Sequence, residues 1–544
     1  MNSKEVGAQE TPPIVLKNNH DDPLPKSTKS TSGTSASVIL RNVGSVWVGF
    51  IINLAITFYL TPILIKKLGP EGYSIWVLLE SLTGYYGLID MGLRAGVTQT
   101  VTKRIASGDN SRVVDYINGI LPLLAKTALF VVFAGIISGF VLSNTLSVSQ
   151  PIQESLWPMV FFQSIGIGIT MLSFPFSAIL VGFQRYDLSV GLATFTRIIS
   201  LICTLLVLRY SSSVLYLSIS ILCVNVFDQL LRYLVAIYFM PQLRQIRPKS
   251  NRTELRELYR VGGWNFAVNI SQQLLQRFNT LIAAYWFPIF VLVPYNIAQS
   301  LAEQSSKVTT LASRVLFPSF VHLNHQDKAD EARVLFQITS RISITFSLVA
   351  ITVGLIWFEP FMNLWLHSID DRESVISLAK QFYVAFGIIN VLTSLRAIGW
   401  QLLMGRDKME FFGKVMMFES ASAIALALLL GSKFGILGLA IGNLVAMAIS
   451  TFGIYLPEFS KLVNSSVASN LNAIFVRPIA YSLVTGLSTV VLSRAADVPK
   501  DWMSLFIYCF IPTLAILTLA IPLLLTNSEL MHASRRLLRF MKFA

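Results

Sequence analysis

The sequence predicts an all-α integral membrane protein with about 14 transmembrane helices, and three observations predict it. First, 53% of the 544 residues are hydrophobic and only 13% are charged, against roughly 25% charged in soluble domains. Second, apolar windows of about 20 residues, the length a helix needs to cross the hydrocarbon core, recur along most of the chain. Third, Lys and Arg gather in alternate connectors between those windows, as the positive-inside rule requires of a multi-pass protein.

In chain order, the windows place spans near 44–65, 73–93, 117–142, 157–182, 188–208 and 214–240. A basic connector follows. Eight further spans fall near 263–286, 289–312, 338–357, 375–403, 412–430, 435–455, 474–492 and 502–525. This divides the chain into a disordered cytoplasmic tail (1–37), an N-terminal bundle (38–240), a basic cytoplasmic connector (241–260) and a C-terminal bundle (261–456). An additional helix pair (457–526) and a basic amphipathic cytoplasmic tail (527–544) complete it. The polar opening segment has no apolar stretch before a small-residue cleavage site, so no signal peptide is expected.

Orientation follows from the connectors. Lys103, Arg104 and Arg112 follow the second span, and six cations from Arg244 to Arg260 follow the sixth. Arg314, Lys328 and Arg333, then Arg406 and Lys408, and finally Arg535, Arg536, Arg539 and Lys542 mark the same side. The segment 143–154 carries no positive charge, and 367–373 is net acidic. Both termini are therefore expected in the cytoplasm, with Lys66, Lys67, Arg209, Lys433, Arg494 and Lys500 as exceptions. The net charge of +14 is explained by these connectors and calls for no nucleic-acid partner.

The two halves echo each other at a displacement near 220 residues. Arg41 and Gly44 correspond to Arg260 and Gly263, and Tyr73 corresponds to Tyr295, as in transporters built from duplicated bundles.

Charges at bilayer depth cost about 2.5–3.5 kcal/mol on insertion scales, so those within the spans need a reason. Asp228 with Arg232, and Glu303 with Lys307, are four residues apart and are expected to neutralise each other on one helix face. Lys126, Arg197, Arg277 and Arg396 have no opposite charge at helical spacing and are expected to line a cavity that attracts anions or to meet partners on other helices. Arg277 lies in the amide-rich run Asn269, Gln272, Gln273, Gln276, Asn279, which lipid would leave without partners. A hydrated path is expected there, with Gln273 and Gln276 beside Arg277 as lining. Amides suit the hydroxyls of a sugar chain, and Tyr85, Tyr86, Tyr295, Trp264 and Trp400 are candidate rings for its C–H faces. The glycines at 431, 435, 438 and 442 have the GxxxG spacing of close helix packing.

Catalysis and cofactors are not expected. The chain has no GxxxxGK[ST] loop, no HExxH and only five scattered histidines. Cys203, Cys223 and Cys509 lie in apolar runs without disulfide spacing.

The stretch "LTPILIKKLGPEGYSIWVLLESLTGYYGLIDMGLRAGVTQTVTKRIASGD" resembles the N-terminal signature of prokaryotic polysaccharide transporters. These are the O-antigen flippase-like proteins of the multidrug/oligosaccharidyl-lipid/polysaccharide exporter superfamily. The turn Leu68 to Tyr73, Asp90, Gly92 and Lys103-Arg104 carry the match, with "LVGFQRYDL" near Gly182 and "FGILGLAIGNL" near Gly435 in support. The resemblance implies two bundles around a central cavity and alternating access in the cytoplasmic membrane of a prokaryote. It also implies a polyprenyl-pyrophosphate-linked oligosaccharide as substrate, moved from the inner to the outer leaflet, with a glycan polymerase and glycosyltransferases as partners. Asp90 and Arg94, four apart on one face, are then expected to organise the inner gate. The unpaired cations, Arg277 first, suit a pyrophosphate because the guanidinium fork matches it. Competing readings are a multidrug or cation exporter, a lipid II flippase, and a nontransporting scaffold for glycan assembly.

Overall fold

The computed structural model describes residues 36–326, 328–367, 372–406, 408–495, 499–515 and 518. The two expected tails fall almost entirely outside them. The side chains of Tyr85, Tyr86, Asp90 and Trp264 are also outside the described set.

Helix α1 (Ala36–Ala106) combines the first two expected spans. Gly69 divides it, at φ 72° and ψ 171°, a region essentially closed to residues with a Cβ. Pro70 opens the second arm, where its missing N–H costs no helical bond. The Glu71 carboxylate accepts the Ser149 N–H at 2.6 Å, which ties this turn to the start of α3. The turn quoted above thus has a physical role as the joint between two spans.

The N-terminal bundle continues with α2 (Asn110–Thr145), α3 (Gln150–Gly182), α4 (Tyr186–Tyr210) and α5 (Val214–Phe239). The C-terminal bundle contains α6 (Arg252–Trp286), α7 (Leu292–Ser313), the short α8 (Phe317–His325), α9 (Ala329–Ile356) and the short α10 (Phe358–Trp365). After these come α11 (Arg372–Gly405), α12 (Met409–Phe434) and α13 (Ile436–Ser450). A π turn (Thr451–Tyr455) joins α13 to α14 (Leu456–Leu462), and a second (Asn472–Val476) joins α15 (Val467–Leu471) to α16 (Arg477–Ala495). Among the described residues, ten helices are long and apolar enough to cross a membrane. The remainder of the fourteen expected spans are the second arm of α1, the polar helices α6 and α7, and the segment from Trp502. Amides and charges lower the hydropathy of α6 and α7.

The bundles meet mainly where α1 lies along α6. Tyr73 donates to Asn296 Oδ1 at 3.0 Å, and Trp365 Nε1 donates to the Phe58 carbonyl at 2.8 Å. The Phe58 and Trp365 rings stack with centroids 5.1 Å apart. On the basic-connector side, Arg104 grips Glu254 at 2.5 Å, and Asn118 Oδ1 accepts the Arg247 N–H at 2.8 Å. The connector between the bundles is therefore bound to the N-terminal one.

Gly435 (φ 66°) makes the tight turn between α12 and α13. A Cβ on Gly438 would sit 2.1 Å from the Leu430 carbonyl, and one on Gly442 would sit 2.5 Å from the Ala427 nitrogen. The glycine spacing thus marks a close helix–helix seam, as its pattern predicts.

Candidate functional site

An elongated cavity of about 540 Å³ lies inside the C-terminal bundle. Helix α7 supplies one wall through Tyr295, Gln299, Glu303, Ser306, Thr310 and Ser313, residues spaced three and four apart and therefore on one helix face. At about 1.5 Å per residue, that wall is roughly 27 Å long. Asn269, Gln272 and Gln276 face it from α6. Asn390, Thr393, Arg396 and Trp400 line it from α11, Met416 and Glu419 from α12, and Asn443 from α13.

Hydrogen bonds hold these walls. Asn443 donates to the Leu275 carbonyl at 3.1 Å and Asn279 to the Leu439 carbonyl at 2.9 Å, clamping α6 to α13. Ser306 donates to Asn390 Oδ1 at 2.5 Å. Behind it, the Ser394 hydroxyl bonds Thr309 at 2.9 Å and Ser347 at 2.6 Å. A buried hydroxyl network of this kind joins α7, α9 and α11 because unmade hydrogen bonds are costly where water is excluded.

The charges are arranged in pairs. Arg396 Nη1 donates to Glu419 Oε1 at 2.7 Å, and its guanidinium lies 4.7 Å from the Tyr455 ring centroid. Ser450 donates to the other Glu419 oxygen. Lys307 stands 3.3 Å from Glu303, which also accepts from Gln299 at 2.9 Å. In the N-terminal bundle, Asp228 and Arg232 bond at 2.8 Å, so both four-residue pairs form as their spacing predicts.

The four cations expected to share one lining are dispersed. Arg396 and Gln276 line this cavity, but Arg396 is neutralised by Glu419, 23 residues away on the next helix. Lys126 on α2 and Arg197 on α4 are exposed on the other bundle and do not border it. Arg277 and Gln273 are half-buried and also off its wall. Successive helical residues turn by about 100°, so the face that presents Gln276 to the cavity turns Arg277 away. Arg277 Nε is buried and makes no hydrogen bond among the described residues. At the expected gate, the Arg94 guanidinium lies 5.8 Å from the Phe174 ring centroid, while the Asp90 side chain lies outside the described residues.

Sequence reasoning assigned Glu303 and Lys307 to local neutralisation and missed their place on the cavity wall. The signal was present in the polar stripe Gln299, Glu303, Ser306, Thr310. Glu419 had no comparable signal, since nothing local links it to Arg396. Among the described residues, no cluster of His, Cys, Asp and Glu is suited to hold a metal.

Comparison with known proteins places this architecture. Residues 81–366 match the family model described as "Polysaccharide biosynthesis protein". The "Putative O-antigen transporter" of Shigella flexneri is 21% identical over 418 residues, covering 74% of this chain and 93% of that protein. Among solved structures, an inward-facing multidrug resistance MATE family transporter of the MOP superfamily aligns with a TM-score of 0.63 at 15% identity, covering 76% of this chain and 99% of that one. The lipid II flippase MurJ in an inward closed conformation aligns with a TM-score of 0.62 at 11% identity, covering 88% and 98%. At these identities, the two structures show a shared fold. The three named relatives are described as a putative transporter, a transporter and a flippase, none of them as an enzyme. The chain therefore belongs to the family described as polysaccharide biosynthesis protein.

Proposed function

We propose that this protein moves a polyprenyl-pyrophosphate-linked oligosaccharide from the inner to the outer leaflet of a bacterial cytoplasmic membrane by alternating access of its two bundles. Both termini are then cytoplasmic, and the partners are the glycosyltransferases that build the glycan and the polymerase that extends it. The observation that carries this reading is the amide- and hydroxyl-lined cavity among the helices of the C-terminal bundle in a chain of the polysaccharide family. Lipid-facing amides would lack partners, whereas a glycan supplies them. A cationic drug finds little here, because both cavity carboxylates already face cations at 2.7 and 3.3 Å. Arg277, whose buried Nε has no hydrogen bond among the described residues, is the candidate contact for the pyrophosphate, and Asp90 with Arg94 the candidate gate.

The test is leaflet-resolved quantification of lipid-linked glycan in cells with and without the protein. Accumulation on the cytoplasmic face in its absence, reproduced by Arg277→Gln in a folded and membrane-inserted chain, supports the reading. An unchanged distribution accompanied by greater sensitivity to cationic drugs would replace it with the exporter reading.

A further inference from the structure

We infer that the cavity in the C-terminal bundle is a subsite for uncharged sugar rings, reading the glycan and not the phosphate of the substrate. This rests on the oligosaccharide reading above and adds which part of the substrate occupies this cavity. Three observations converge on it.

The first is charge. Arg396 and Lys307 are committed to Glu419 and Glu303, and those carboxylates accept further bonds from Ser450 and Gln299. At Arg396 an anionic ligand would have to break a buried pair and strand Glu419, which is strongly unfavourable; the half-exposed Lys307 is held by the weaker pair with Glu303. Arg314, the remaining lining cation, is exposed at the far end of the α7 wall.

The second is hydrogen-bonding capacity. Asn269, Gln272 and Gln276 lie on one side of α6 against the cavity, and no hydrogen bond involves their side chains among the described residues. Each amide offers a carbonyl acceptor and two N–H donors. A sugar hydroxyl donates and accepts at once, so an amide stripe suits a row of hydroxyls or N-acetyl groups better than it suits an ion.

The third is the apolar surface opposite. Trp400 and Phe412 both line the cavity, with ring centroids 3.9 Å apart at 63°. They give a pyranose C–H face an aromatic surface while the amides take its hydroxyls. The volume of about 540 Å³ falls within the roughly 300–1,000 Å³ of small-molecule sites, enough for a short run of sugar rings and not for a whole repeat chain.

The experiment uses the full-length protein in lipid nanodiscs and follows tryptophan emission. The probes are N,N′-diacetylchitobiose (neutral), digalacturonate (acidic) and inorganic pyrophosphate. The neutral disaccharide is expected to change the emission saturably, and the response should vanish in Trp400→Phe. The Gln272→Leu/Gln276→Leu pair should weaken apparent affinity about tenfold, the worth of two modest hydrogen bonds. If that double variant does not fold, Asn269→Ala is expected to weaken binding in the same direction. Pyrophosphate and digalacturonate should neither produce the Trp400-dependent signal nor compete for it. The inference is overturned if either anion competes with the disaccharide, or if no Trp400-dependent response to the neutral sugar occurs. Sugar binding in the nanodisc together with an unchanged leaflet distribution in cells would sink the transport reading and leave the subsite standing.

Discussion

Arg396 and Glu419 form an ion pair at 2.7 Å that joins α11 to α12 on the cavity wall, with side chains only 9% and 1% exposed. Removing one partner from such a pair strands a buried charge, whereas replacing both with apolar groups removes the problem. Glu419→Gln or Arg396→Met alone should therefore destabilise the protein by about 3–5 kcal/mol. The Arg396→Met/Glu419→Leu double variant should cost less than either single change. Thermal unfolding in detergent reads this directly, and a double variant worse than both singles would contradict the pairing.

Close approach at Gly438 and Gly442 sets the distance between α12 and α13, and α12 carries Glu419. Gly442→Val should cost about 1–3 kcal/mol through overpacking, because its Cβ alone would meet Ala427 backbone at 2.5 Å. A valine at Gly191, where nothing lies within 4 Å, should be tolerated far better. Equal loss of thermal stability at the two sites would remove the seam argument.

On the connector side, Arg104 holds Glu254 while also donating to the Arg112 carbonyl at 2.8 Å and covering the Tyr116 ring at 4.8 Å. A double-mutant cycle with Arg104→Gln and Glu254→Gln should give a coupling of about 1.5–3 kcal/mol, typical of a hydrogen bond to a charged group with little exposure. Additive effects would mean that the two residues stabilise the junction independently.

Asp109 caps α2. The Ser111 hydroxyl and the Arg112 N–H, at 2.8 and 3.2 Å, hold its carboxyl below the usual carboxylate range, with Arg112 and Arg104 adding attraction. A lowered folded-state value means that the cap's contribution is present above the unfolded value of about 3.9 and is lost as pH falls through the lower folded one. Protection of the Arg112 amide, its exchange relative to the intrinsic rate at each pH, should thus hold from neutral pH down to about 4 and fall below it. Asp109→Ala should remove that protection at neutral pH, while Asp109→Asn should largely keep the cap.

By itself, the sequence determined the membrane class, the order of the spans, the turn from Leu68 to Tyr73, the seam at Gly438 and Gly442, and the pairs Asp228–Arg232 and Glu303–Lys307. All of these are local: hydrophobic run length, backbone freedom and helical spacing act over a few residues and can be read from neighbours in the chain. Tertiary structure alone decided which cations are neutralised and which side chains share a cavity. Arg396 looked unpaired because its partner is on another helix. Arg277 looked like lining because it lies, without an opposite charge at helical spacing, in the amide-rich run 269–279, yet a turn of about 100° per residue sends it and Gln276 to different faces. Which face meets the cavity depends on how α6 packs against α1, α12 and α13, and that packing is set by contacts far apart in the chain.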